Sequence, residues 1–270
     1  MKYYDIPCTN PWWNMAFDEW LLQCGPSEPV FRLWRNEPSV IIGHNQVAAQ
    51  EVNLEYLQQH GIKLARRVTG GGAVYHDLQN LNYSFAGPIG CFSAPDAPAS
   101  SYDQDRESVP PSGAALFASA LRSLGLPAEL SGRNDIFVEG RKISGYARSV
   151  WHNRELVHGT LMYNVDIDTL TAALNVEGSS KLNLKGVSSV RSRVTNVRDY
   201  LPQFASLDEL QAALKVILSA MVCPPATQTC PPATSNHQQA VKLSLSPAEQ
   251  TAVDSLAASK FASHGWIYKL

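Results

Sequence analysis

The residues most able to do chemistry lie between 66 and 85, Arg66-Arg67-Val68-Thr69-Gly70-Gly71-Gly72-Ala73-Val74-Tyr75-His76-Asp77-Leu78-Gln79-Asn80-Leu81-Asn82-Tyr83-Ser84-Phe85. Three consecutive glycines after two arginines let the backbone approach a ligand closely where permanent positive charge is also at hand. Successive N–H groups in such a turn form a concave nest for phosphate or carboxylate; the plain alternative is a glycine-rich hairpin turn flanked by solvated arginines. The stretch lacks the Gly-Lys-Ser/Thr of a P-loop and the G-x-G-x-x-G of a dinucleotide fold. Two further segments share its character. Gly132-Arg133-Asn134-Asp135 leads to Arg141-Lys142-Ile143-Ser144-Gly145, and the polar stretch after Asn175 carries Lys181, Lys185, Arg191 and Arg193. A site assembled from all three would surround a polyanion, which suits ATP or an acyl phosphate better than a lone carboxylate. Lys142 beside Gly145 is placed to reach a phosphate and a carboxylate together, although a lysine taken alone is usually solvated. Asn134 and Asp135 offer hard oxygen ligands for Mg2+, although Asp near a turn is more often a cap. His76 and His158 read as structural residues holding turns, since no G-x-S-x-G elbow supplies a serine for a hydrolase triad.

The elements that must position these groups follow from pattern. Residues 14–24 read as a helix capped by Asn14, with Asp18 and Glu19 near its positive end and Phe17, Trp20, Leu21 and Cys24 on one face. Strands are expected at 30–34, 39–43, 63–68, 73–76 and 81–85, with Asn53 capping a helix that Gly61 ends. A Pro-rich connection over 87–112 leads to a helix ended by Gly125, and Glu139-Gly140 makes a tight hairpin that starts Arg141 and Lys142 on a returning strand. A short helix at 167–174 precedes the basic loop. Ser206 with Glu209 and Ser246 with Glu249 are capping-box pairs, and Gly265-Trp266-Ile267-Tyr268 is short and strand-like. The pentapeptide Cys-Pro-Pro-Ala-Thr, at 223 and again at 230, marks 223–241 as a disordered insertion. The fold class is α/β (α+β), a mixed, largely antiparallel sheet flanked by helices.

Composition narrows the partners. The 270 residues are 44% hydrophobic and 17% charged, with a net charge of −2, so there is no bulk attraction to nucleic acid or to a membrane surface. The opening Met1-Lys2-Tyr3-Tyr4-Asp5-Ile6-Pro7 has no apolar run before a small-residue cleavage site, no stretch approaches roughly 18 apolar residues, and the cysteines at 8, 24, 91, 223 and 230 lack zinc or disulfide spacing. A cytoplasmic protein with reduced thiols is expected.

The segments 66–85, 132–145, His158-Gly159-Thr160-Leu161 and Lys185-Gly186-Val187-Ser188-Ser189-Val190-Arg191-Ser192-Arg193-Val194-Thr195-Asn196-Val197 together closely resemble the lipoate-protein ligase A family. The resemblance implies a catalytic domain like that of biotin protein ligases and class II aminoacyl-tRNA synthetases, spanning 1–270 as a single unit. It implies that lipoate attacks the α-phosphate of Mg-ATP to give lipoyl-adenylate, from which the amine of a lysine on a lipoyl carrier domain displaces AMP. Carriers of the 2-oxoacid dehydrogenase E2 type or the glycine cleavage H protein type are implied. Lys142 would bridge acyl carbonyl and phosphate; Arg67, Thr69 and Gly70, Gly71, Gly72, Ala73, Val74, Tyr75 and His76 would line the adenylate. Asn134 and Asp135 would sit near phosphate and metal, His158 and Gly159 in the same pocket, and Lys185 and Arg191 in a loop folding over it. The C-terminal accessory domain of the family is not recognisable before Leu270, so a separate protein supplying it is an expected partner. Octanoyl transferases share the fold but use a cysteine nucleophile; no cysteine lies between Cys91 and Cys223, leaving Cys91 as the remote candidate. A protein that only binds lipoate or a lipoyl domain is a third reading, which Lys142 and the intact glycines oppose.

Overall fold

The computed structural model describes residues 1–92, 112–130, 134–175, 194–221 and 241–269. Lys185, Arg191, Gly132, Arg133, most of the Pro-rich connection and nearly all of the 223–241 insertion lie outside the described residues. The strands in chain order are β1 (Lys2–Tyr4), β2 (Val30–Trp34), β3 (Ser39–Ile42), β4 (Lys63–Arg66), β5 (Val74–His76), β6 (Asn80–Pro88), β7 (Glu129–Leu130), β8 (Asp135–Val138), β9 (Arg141–Trp151), β10 (Arg154–Met162) and β11 (Lys242–Leu243). The helices are α1 (Pro11–Cys24), α2 (Ala48–Glu51), α3 (Leu54–Gln59), α4 (Ser112–Ser123), α5 (Ile167–Ala173), α6 (Leu207–Ala220), α7 (Pro247–Leu256) and α8 (His264–Ile267).

Among the described residues the strands form two sheets. The large one has the order β11-β1-β2-β6-β10-β9-β8-β7, parallel across β11, β1 and β2 and antiparallel from there on. The small one is β4-β3-β5, with β3 parallel to β4 and antiparallel to β5. The mixed, mostly antiparallel sheet flanked by helices is the expected class, although the pattern gave no sign that β3, β4 and β5 separate from the rest. Glu139 (φ 47°) and Gly140 (φ 70°) form the expected tight turn between β8 and β9.

Alternation along the strands explains the layers. Phe31, Leu33, Leu81, Tyr83 and Phe85 pack with Phe117 and Leu121 of α4 and Leu210 and Leu214 of α6. The intervening residues Arg32, Trp34, Asn82 and Ser84 take the other face, which is also buried, because α1 covers it with Phe17, Trp20 and Leu21 packed on Trp34, Ile41 and Leu156. All five residues of β2 are therefore buried.

Helix α1 begins a turn earlier than its expected cap. Asn10 accepts the N–H groups of Trp12 and Trp13, and Pro11 takes the first turn, where its missing N–H costs nothing. Asn14 is instead fully buried, and Asp18 and Glu19 are buried at mid-helix rather than solvated at its start. At α6, Ser206 accepts the Glu209 N–H, but Glu209 turns to the Ala205 N–H, so half of the expected box forms; at α7 both halves form. The strand-like ending is α8, capped by Ser263. Its carbonyls have a partner off the helix: Arg66 donates to Trp266 O at 2.9 Å and to Ile267 O at 2.7 Å, and Trp266 Nε1 donates to Arg66 O. No helix among the described residues is long and apolar enough to cross a membrane.

Candidate functional site

The two arginines before the glycines part company. Arg66 is fully buried and, besides α8, donates to the carbonyls of Gly43, His44 and Gln46, which ties the β3–α2 connection to the C-terminal helix. Arg67 turns to the glycine loop. Its guanidinium reaches Ile41 O at 3.0 Å, Gly70 O at 2.8 Å, Gly72 O at 2.7 Å and Thr69 Oγ1 at 3.1 Å. Burial lowers its pKa to about 10, which leaves it charged at neutral pH. The expectation that both charges aim at an anion is thus corrected: their donors go to backbone carbonyls, which need hydrogen-bond donors once removed from water. The loop itself needs glycine twice over. Gly71 has φ 94°, and a Cβ on Gly43 would lie 2.1 Å from Gly71 O.

Facing the loop is the β8–β9 hairpin. Lys142 Nζ lies 2.7 Å from Asp135 Oδ1, with side chains 23% and 16% exposed. This is an ion pair rather than an aligned hydrogen bond, since Asp135 Oδ1 has no donor of acceptable geometry. Lys142 lies across Gly145, where a Cβ would sit 3.2 Å from Nζ, and Asn134 Nδ2 lies over Gly71. Val194 bridges to Lys142, and Thr195 N–H donates to Lys142 O, so the described residues just after the basic segment are tied to this strand. Between loop and hairpin is a cavity of about 250 Å³. Its inner walls are Met15, Trp34 and Ile41, all nearly inaccessible. One end is therefore cationic and the other apolar.

Beneath the cavity runs a buried polar network. Asp18 Oδ2 lies 2.7 Å from His158 Nδ1, and His158 Nε2 lies 2.7 Å from Thr69 Oγ1. The carboxylate accepts the Nδ1 proton, so in the neutral tautomer Nε2 accepts the Thr69 hydroxyl proton, while Thr69 Oγ1 also accepts from Arg67. Asp18 Oδ1 accepts from Ser84 Oγ, which accepts from Trp34 Nε1. Arg32, fully buried, donates to Asn14 Oδ1 and stands 3.7 Å from Asp18, near enough to neutralise it but too far for a hydrogen bond. Burial lowers its pKa to about 10 while Asp18 opposes the fall. Asn14 and Asn36 link this group to His76, whose pKa burial lowers to about 3 with help from Arg67 and His158.

Of the residues singled out from the sequence, Arg67, Gly71, Gly72, Ala73, Val74, His76, Asn134, Asp135, Lys142, His158 and Gly159 line the one cavity. Thr69 stands behind the wall on His158, Gly70 serves Arg67 through its carbonyl, and Tyr75 packs away from the cavity with Val40 and Ile42. Neither histidine holds a turn; both sit on strands, correcting that expectation. None of Cys8, Cys24 and Cys91 lines the cavity. Asn14, Asp18, Arg32, Asn36 and Asn82 were missed. The signals were there: Asn14 and Asp18 are four apart on a face otherwise apolar, and Arg32 interrupts an apolar strand.

Residues 10–218 match the family described as Lipoyl protein ligase A/B catalytic domain. Lipoate–protein ligase 1 of Staphylococcus aureus is 40% identical over 214 residues, which are 79% of this chain and 60% of that protein. The chain thus spans about three fifths of that relative's length. Among solved structures, one of a bi-partite lipoate protein ligase and its E2 lipoyl domain from Thermoplasma acidophilum is similar with TM-score 0.75 and 28% identity, covering 99% of this chain and 95% of that one. A putative lipoate protein ligase from T. acidophilum with bound lipoic acid gives TM-score 0.72 and 28% identity, over 100% of this chain and 99% of that one. A lipoate-protein ligase A bound with ATP gives the same TM-score and identity, over 99% and 98%.

Proposed function

Because the chain belongs to the lipoyl protein ligase A/B catalytic-domain family, we propose that it joins lipoate to protein through an acyl-adenylate. A carboxylate does not acylate an amine at neutral pH until one of its oxygens leaves with a better group, and AMP is such a group. The first step forms a bond from a lipoate carboxylate oxygen to the α-phosphorus of ATP and releases pyrophosphate. In the second, the ε-amine of a carrier lysine attacks the acyl carbon, loses a proton, and AMP departs.

The observation that carries this reading is Lys142. It is the cation of the cavity's polar end, 2.7 Å from Asp135, and its ammonium would bridge the acyl carbonyl and the phosphate, offsetting the charge that develops on both. The glycine loop, shaped from within by Arg67, would bring backbone close to the adenylate, while Met15, Trp34 and Ile41 would bury the acyl chain. Mg2+ bound with the nucleotide would neutralise phosphate charge. Asp135 with Asn134 is the donor pair that fits it, and the described residues hold no cluster of three or more His, Cys, Asp or Glu, so phosphates and water would complete its shell. Lys185 and Arg191 are proposed to cover the adenylate against water.

The carrier is proposed to be a lipoyl domain, as supported by the Thermoplasma ligase described with its E2 lipoyl domain; the bi-partite character of that relative supports a second protein here. The test is ATP–pyrophosphate exchange with free lipoate, with and without a candidate accessory protein, followed by transfer to a lipoyl domain. Lipoate-dependent exchange lost in Lys142→Ala is expected. Exchange that survives that substitution, or none under any condition, would sink the proposal.

A further inference from the structure

Two buried polar atoms on the cavity wall have nothing to bond. His76 is 3% and Asn82 1% exposed, both line the cavity, and His76 Nε2 and Asn82 Nδ2 lack a hydrogen-bond partner among the described residues. Desolvated polar atoms without partners are uncommon and call for an explanation.

The position of the His76 proton follows from the amides behind it. Arg32 has only donors, so the Asn14 atom facing its Nη2 is the oxygen. Asn14 Nδ2 then donates to Cys8 O at 2.9 Å, Arg35 O at 3.2 Å and Asn36 Oδ1 at 2.8 Å. Asn36 is thereby oriented with Nδ2 towards His76 Nδ1, 3.0 Å away. An amide NH2 can only donate, so Nδ1 accepts and the proton of the neutral ring is on Nε2. His76 therefore presents an N–H to the cavity. Asn82, with its Oδ1 accepting from Asn80 Nδ2 at 2.9 Å, has its Nδ2 as a second unpartnered donor.

Asn82 is set apart from Lys142. Asn82 pairs with Thr160 of β10, and Thr160 Oγ1 in turn receives the Gly145 N–H of β9, so Asn82 is two strands away from the strand that carries Lys142. The neighbouring wall is apolar, with the Trp34 ring centroid 6.2 Å from that of His76. We propose that His76 Nε2–H and Asn82 Nδ2–H recognise a hydrogen-bond acceptor, sulfur or oxygen, in the distal half of a medium-chain carboxylic acid, and so select against an all-alkyl chain of the same length. This rests on the acyl-pocket reading above. An alkyl chain filling the slot would leave both donors without a partner, and a site built to hydrogen-bond its ligand rejects the analogue that cannot reply.

The test is calorimetric titration of the full chain, without ATP, with lipoate and with octanoate. Wild-type protein is expected to bind lipoate about tenfold or more tightly, the equivalent of one net hydrogen bond. His76→Phe is expected to bring the two affinities within about threefold, Asn82→Leu to narrow the gap, and His76→Gln, which keeps a donor, to retain most of it. A ratio unchanged in His76→Phe and Asn82→Leu, or both acids weakened equally, overturns the inference; so does equal affinity in the wild type, which needs no variant to fold. Binding of neither acid to wild-type protein overturns the acyl-pocket reading itself and the inference with it.

Discussion

Lys142 Nζ stands 2.7 Å from Asp135 Oδ1 in a cavity lined also by the glycine loop, by Met15, Trp34 and Ile41, and by the polar side chains of Arg67, His76, Asn82 and His158. The pair joins two adjacent strands, in which Asp135 is opposite Gly145, so the lysine folds back over a residue that has no side chain to obstruct it. Asp135 thus holds the ammonium in place before any ligand arrives.

That relationship makes Asp135→Ala informative beside Lys142→Ala. Losing Asp135 frees the lysine to leave its working position and removes a candidate Mg2+ ligand, both felt in the adenylation step rather than in acyl binding. Lipoate affinity should change less than about threefold, while kcat/KM for ATP in pyrophosphate exchange should fall by about a hundredfold or more, in the range of removing one aligned charged group. A fall in lipoate affinity of the same size would mean that Asp135 supports the acyl slot instead.

The glycine loop can be disturbed from a residue outside it. An added Cβ at Gly43 would come within 2.1 Å of Gly71 O, so Gly43→Ala must push the loop towards the cavity or spread β3 from it. A loss of about 1–3 kcal/mol is expected, with a larger proportional loss of lipoate binding. Gly61→Ala is the control: with φ 63° and nothing within 4 Å, it should cost about 1 kcal/mol and leave binding unchanged. Urea melts and titrations on both variants separate the two effects.

Much of the frame was legible because it is written in local signals. Asn53, Gly61, Gly125, Glu139-Gly140 and Pro247 sit where expected, since caps and tight turns depend on a few neighbouring residues. The cavity's two walls were legible as motifs. What escaped depends on partners far along the chain. Asn14 looked like a cap until Arg32 and Asn36 were seen to claim it, and the C-terminal Trp266-Ile267 looked like a strand until Arg66 claimed its carbonyls. Asn82 and Ser84 are the polar positions of an alternating strand, and nothing local reveals that α1 covers their face. The placement of Lys185 and Arg191 lies outside the described residues.

Arg66 is the clearest case of such a long-range claim. Its guanidinium serves carbonyls of the β3–α2 connection on one side and of α8 on the other, with the bonds to Gly43, Gln46 and Ile267 buried. Arg66→Met keeps much of the packing but leaves those carbonyls without donors. A loss on the order of 3 kcal/mol or more is expected, together with early release of the C-terminal helix, visible as faster amide exchange around 264–268 before global unfolding. Uniform exchange across the chain would show that the clamp contributes only to global stability.

His76 ties the buried network to pH. Its pKa is lowered from 6.5 to about 3, chiefly by burial and further by Arg67 and His158, so the folded protein keeps the ring neutral where the unfolded chain protonates it. The unfolded state therefore binds the extra proton, and the stability this ring allows is intact above about pH 6.5 and is lost as pH falls from there towards 3. Well below 6.5 the loss approaches about 1.4 kcal/mol per pH unit. His76→Gln cannot titrate, so the stability difference between wild type and variant should shift against the wild type by about 1 kcal/mol per unit between about pH 6 and 4.5. Urea melts of both proteins across that range read it directly, since other groups titrate alike in the two and cancel. Parallel stability curves would mean that the ring takes up its proton in the folded state as well, and with it that the Asn36 contact does not hold Nδ1 as an acceptor.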